Sequence, residues 1–135
     1  EALSTGDKRA INRMQWEYEE LVDKLEDEST NTHRVMKRYE EMLEIRAQHP
    51  SFHPDAPQEI LDLGDKLFGI KRRALDGSES ILAISNVTSQ PVEIHRNNLQ
   101  ISAQTGTITD VLGGRQRLQE KTLALAPYET VWLCY

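Results

Sequence analysis

The chain holds one cysteine, Cys134, in 135 residues. A single thiol excludes an internal disulfide and any cysteine-based zinc cluster. It fits a reducing, cytoplasmic setting. Long apolar runs are also missing. No stretch approaches the roughly 18–20 residues of a membrane span, and no signal peptide leads the chain, so no membrane partner is expected. Basic excess is lacking, with 16 Lys and Arg against 22 Asp and Glu and a net charge of -6. Nucleic acid is not an expected partner, because phosphate binding needs clustered Lys and Arg. Apolar residues make up 38%, below the roughly 45–50% of an average domain, so the core is modest. The length suits one domain, or a small domain with an appendage. It falls short of the roughly 200–250 residues of a (β/α)8 barrel. The chain opens on Glu1 rather than Met, which predicts a piece of a longer protein or a processed form.

What charge there is lies unevenly. Residues 1–58 carry 8 basic and 13 acidic side chains, and residues 59–135 carry 8 and 9. The one basic triplet, Lys71-Arg72-Arg73, reads as a solvated strand end before a turn.

Periodicity separates three zones. Residues 1–13 show no helical or strand period and read as a loop. Residues 14–48 read as two helices. The first is acidic and amphipathic, with Trp16, Glu17, Leu21, Val22 and Leu25, and ends near Glu28. Ser29-Thr30-Asn31-Thr32 is a cluster of N-cap residues that breaks it and starts the next. Val35, Met36, Tyr39, Met42 and Leu43 trace one face of that second helix. Such a face must pack on the following domain, pair with another copy, or remain an exposed apolar patch. Pro50 stops the helix and biases His49 to extended geometry. Residues 49–57 hold three prolines and read as a stiff linker and domain boundary.

From Gln58 the period becomes two. Strands are predicted over Glu59–Leu63, Lys66–Arg73, Ser80–Val87, Pro91–Arg96, Thr107–Leu112, Lys121–Ala126 and Thr130–Tyr135. Gly64-Asp65, Asp76-Gly77 and Gly113-Gly114 punctuate them. Both faces of Ser80–Val87 look apolar, so that strand is central. The fold class is α+β: two N-terminal helices followed by an antiparallel β-sandwich.

Few constellations carry chemistry. A glycosidase-type site needs two carboxyls facing each other across about 5–10 Å. Asp7 and Asp62 are the least obviously solvated acids, and nothing pairs them. His49 and His53 have ligand spacing for a helix, but Pro50 and Pro54 forbid that helix, and they read as histidines packed on a neighbouring domain. No metal site and no cofactor are expected. Cys134 reads as a small buried or edge thiol. Gly113-Gly114-Arg115 reads as a hairpin turn rather than a phosphate loop, and Asn86-Val87-Thr88 as a strand-end turn rather than a glycosylation site. Arg13 closes a loop of mixed charge, and arginine suits forked bonds to carboxylates or hydroxyls.

Several segments resemble one enzyme family. Thr5–Arg13, TGDKRAINR, is similar to a segment of the sucrose phosphorylase-like enzymes of glycoside hydrolase family 13, the α-amylase family. The run HPSFHPDAPQEILDLGDKLFGIKR from His49 resembles the branch acting on sucrose 6-phosphate or glucosylglycerate. Ile81–Thr88 and Leu123–Leu133 resemble that branch's C-terminal β-domain. The resemblance implies the C-terminal end of a larger, retaining glucosyl phosphorylase or transferase. Residues 1–48 would be the last loop and helices of a TIM barrel, 49–57 the linker, and 58–135 the sandwich. The aspartate nucleophile and glutamate acid/base of that chemistry match no position here, so no catalytic residue is assigned and the chain alone is expected to be inactive. Arg13 is the one substrate-binding residue implied, holding the glucosyl O4 beside an aspartate of an early barrel loop. Met14-Gln15-Trp16 departs from sucrose phosphorylase proper. The partners implied are the enzyme's own catalytic barrel, an α-glucoside and phosphate, with homodimerisation through the exposed helix face as a further expectation. A competing reading is an independent carbohydrate-binding module that uses Trp132, Tyr128 or Tyr135 as stacking surfaces.

Overall fold

The computed structural model describes residues 16–102, 107–116 and 121–135. Two compact units divide between Glu41 and Met42. The first holds α1 (Tyr18–Glu26) and most of α2 (Asn31–Gln48). Thr30 caps α2 as its position predicts. Its Oγ1 accepts the His33 N–H at 3.1 Å and donates back to the Lys24 carbonyl at 2.6 Å and the Asp27 carbonyl at 2.9 Å. The cap satisfies one of the unpaired amides at the helix start. His33 Nδ1 lies 2.6 Å from the Leu25 carbonyl. A carbonyl can only accept, so the ring proton sits on Nδ1. Neither helix buries a single residue.

The second unit is two antiparallel sheets. Among the described residues, six strands run in the order β1-β2-β3-β8-β5-β6, and β4 pairs with β7 as a second sheet. Their ranges are β1 Gln58–Leu61, β2 Leu67–Arg73, β3 Ser80–Asn86, β4 Val92–His95, β5 Thr109–Asp110, β6 Arg115–Gln116, β7 Thr122–Leu125 and β8 Thr130–Cys134. The predicted strands are present, with ends shifted by no more than two residues, and β6 is additional. It forms a hairpin with β5 through Gly113 and Gly114. A Cβ on Gly113 would lie 2.6 Å from Asp110 Oδ2, and Gly114 has φ +62°, so both positions require glycine. Asp110 is buried, and its Oδ1 accepts the N–H groups of Leu112 and Trp132, each at 3.2 Å.

β3 is central, as its two apolar faces predict. Leu82 and Ile84 of β3, Val131 and Leu133 of β8, Ile94 of β4, and Leu123 and Leu125 of β7 share one buried cluster. That cluster is the core between the sheets. Cross-strand pairing sets the other face of the large sheet: Arg72, Ile81 and Cys134 form one row, and Ile70, Ala83 and Trp132 the next. Ile81 is fully buried and Trp132 nearly so. Phe52 of segment 49–57 packs on Trp132.

Candidate functional site

The sequence casts 49–57 as a stiff linker, but the segment is docked. Pro50–Phe52 forms one 3-10 turn, and the Phe52 ring packs 4.7 Å from that of Trp132, tilted 50°. Ser51 is fully buried. Arg72 holds the segment down. Its Nε donates to the Ser51 carbonyl at 2.9 Å, and Nη2 to the carbonyls of His53 at 2.7 Å and Ala56 at 3.3 Å. Nη1 donates to the Gln58 side chain at 2.9 Å. The guanidinium fork suits this clustered duty, so Arg72 is a clamp rather than the solvated strand end its triplet suggests.

Glu79 meets the segment from the other side. The β2–β3 loop turns at Gly77, φ +72°, and presents Glu79 just before β3. Glu79 Oε1 accepts the Ser51 N–H at 3.0 Å, and Oε2 lies 3.0 Å from His49 Nδ1. The Cys134 thiol, on the last strand, points at the same Oε2 from 3.5 Å. Burial raises the Glu79 carboxyl, but the bonds from His49 and Ser51 and the His49 charge outweigh it, leaving a pKa below the ordinary glutamate value. The thiol goes the other way. Burial, then the charge of Glu79 and the hydrogen bond to it, push Cys134 up to about 11. A protonated thiol is a poor nucleophile. The three donor atoms lie within 4.8 Å of one another. Among the described residues, His49, Glu79 and Cys134 are therefore a group that could hold a metal.

The remaining candidates separate. Arg13 and Asp7 lie outside the described residues. Asp62 is exposed and accepts the Gly64 N–H at 3.2 Å in its own turn. His53 does not join His49; it is exposed, and its Nδ1 accepts the Asp55 N–H at 3.2 Å. Asn86 is buried; its Nδ2 donates to the carbonyls of Gln90 and Ala126, and its Oδ1 accepts the Thr88 N–H, as a strand-end turn requires. Trp132 offers no stacking surface, because Phe52 covers it and 9% of it is exposed. Tyr128 is exposed, and Tyr135 is partly buried.

No family model matches the chain. A glucosylglycerate phosphorylase from Spirochaeta thermophila is 27% identical over 96% of the chain. One from Allomeiothermus silvanus is 28% identical, also over 96%. The chain is a homologue of part of these enzymes. It spans 23% and 20% of their lengths. Among solved structures, AmyP in complex with maltose, a glycoside hydrolase family 13 enzyme, superposes with a TM-score of 0.65 at 18% identity. That match covers 84% of the chain and 23% of AmyP. The fold, two helices followed by antiparallel sheets, is thus that of the family's C-terminal region.

Proposed function

We propose that the chain is the non-catalytic C-terminal part of a retaining α-glucosyl phosphorylase or transferase acting on glucosylglycerate-like or sucrose-like α-glucosides. The observation that carries this reading is the end-to-end match to two glucosylglycerate phosphorylases, each about four to five times as long. The carboxylates favour it too. Buried Asp110 and half-buried Glu79 are each spent on backbone N–H groups, which is structural work. In this reading the sandwich braces a catalytic barrel supplied by the rest of the protein. That barrel supplies the aspartate nucleophile and the glutamate acid/base, and phosphate accepts the glucosyl group. Arg13 binds the sugar by forked hydrogen bonds.

The test compares this chain with the whole protein. Each is incubated with glucosylglycerate, and separately with sucrose 6-phosphate, in phosphate buffer, and glucose 1-phosphate is measured. The chain alone should release none, and the whole protein should release it. Arg13→Ala in the whole protein should lower kcat/KM about 10²-fold, the order of loss expected from misplaced substrate. Turnover by the chain alone, or none by the whole protein, overturns the reading.

A second reading, pairing of two copies through α2, has one observation in its favour. Val35, Met36, Tyr39 and Leu43 are all exposed, Val35 by 70%. A monomer in analytical ultracentrifugation removes it.

A further inference from the structure

We propose that His49, Glu79 and Cys134 form a zinc-type cation site that staples segment 49–57 to the end of the large sheet. The three donors come from distant parts of the chain: His49 opens the docked segment, Glu79 leads into β3, and Cys134 ends β8. His49 Nδ1 and Cys134 Sγ converge on one atom, Glu79 Oε2, from 3.0 and 3.5 Å. A tetrahedral ion with bonds of about 2.0–2.3 Å holds its ligands roughly 3–4 Å apart. The cluster, with all three donor atoms within 4.8 Å, is close to that spacing already.

The surroundings suit an ion. The imidazole is 19% exposed and the carboxylate 16%, so the site is mostly but not wholly shielded from water. The buried Ser51 backbone donates to Glu79 Oε1 at 3.0 Å. That bond fixes the carboxylate plane, which is what a supporting shell does for a ligand. Thiolate, imidazole and carboxylate together favour Zn2+ over Mg2+ or Ca2+, which take oxygen ligands.

Binding balances without redox chemistry. The Cys134 S–H bond breaks, its proton goes to solvent, and the sulfur lone pair forms the bond to Zn2+. Glu79 binds as the anion it already is. His49 binds through the Nδ1 lone pair with its ring proton on Nε2, the Nδ1 proton passing to solvent. Water fills the fourth position.

The test uses the full chain, stripped with a chelator and titrated with Co2+ and then Zn2+. One equivalent of Co2+ should produce thiolate-to-metal charge-transfer absorption, and Zn2+ should abolish it. Zn2+ should also slow labelling of the thiol by at least about tenfold and raise the thermal midpoint. Cys134→Ser should lose the absorption and bind Zn2+ at least about tenfold more weakly, whereas His33→Gln, in the helical unit, should bind normally. No charge-transfer band with the unaltered chain overturns the proposal, whether or not the variants fold. So does Zn2+ affinity in folded Cys134→Ser equal to that of the parent. Neither result bears on the glucosyl-transfer reading.

Discussion

The two units use their apolar residues in opposite ways. In the sandwich, Ile81, Leu82 and Ile84 of one strand are all fully buried. In α2, the regularly spaced Val35, Met36 and Tyr39 are all exposed. The apolar pattern is clear in both, as a strand in β3 and as a helical stripe in α2, so pattern alone does not say whether a face has a partner. The sandwich closes its core with its own strands. Substitution separates the two cases most strongly. Leu82→Ala should destabilise the sandwich by about 2–5 kcal/mol, through lost burial and a residual cavity. Val35→Ala should change stability by no more than about 0.5 kcal/mol, since alanine is also the better helix former. Each is measured by chemical denaturation. Trp132 fluorescence reports on the sandwich, with exposed Trp16 replaced by Phe. Equal costs at the two positions would show that the α2 face is covered in solution.

The next effect lies at the junction between the helices. Thr30 Oγ1 both receives the His33 N–H and donates to carbonyls that end α1. Thr30→Ala should cost about 1 kcal/mol, within the roughly 0.5–2 of a lost N-cap. Helices that bury nothing have little packing to offset that loss. Far-UV circular dichroism should therefore show a loss of helix, and Thr30→Ser should restore it. Unchanged ellipticity in Thr30→Ala would mean that packing, not the cap, holds these helices.

These contrasts mark what was legible from residue order. The cap cluster at 29–32, the α2 stripe, the central β3 and the glycine hairpins rest on local chemistry, and each is present. The docking of 49–57 was not legible. Three prolines suggest a spacer, and nothing local reveals that Arg72, Glu79 and Trp132 will meet it. The β6 strand was missed because two residues carry no period. His49 invites pairing with His53 by spacing, yet its partners lie 30 residues on at Glu79 and, through that carboxylate, at Cys134. Clusters assembled by strand order leave no sequence interval to recognise. Arg13 stands on the resemblance to the phosphorylases and on nothing the described residues add.

The smallest effect is one the two units share, and it bounds their difference. Asp27 in the helical unit and Asp76 in the sandwich each close a turn by the same device. At Asp27 the Ser29 hydroxyl and then its N–H lower the carboxyl pKa; at Asp76 the Ser78 hydroxyl and then its N–H do the same. Both depressions favour the folded state above the unfolded carboxylate value, about 3.9. That contribution is lost as pH falls through the lower folded values. Both side chains are fully exposed, so solvent screening keeps the effect small. An NMR titration of the carboxyl carbons should place both midpoints below the ordinary aspartate value. Ser29→Ala and Ser78→Ala should each raise only their own neighbour's midpoint. If Asp27 titrated normally while Asp76 stayed depressed, the turn between the helices would be unformed in solution. The contrast between the units would then extend from packing to local structure.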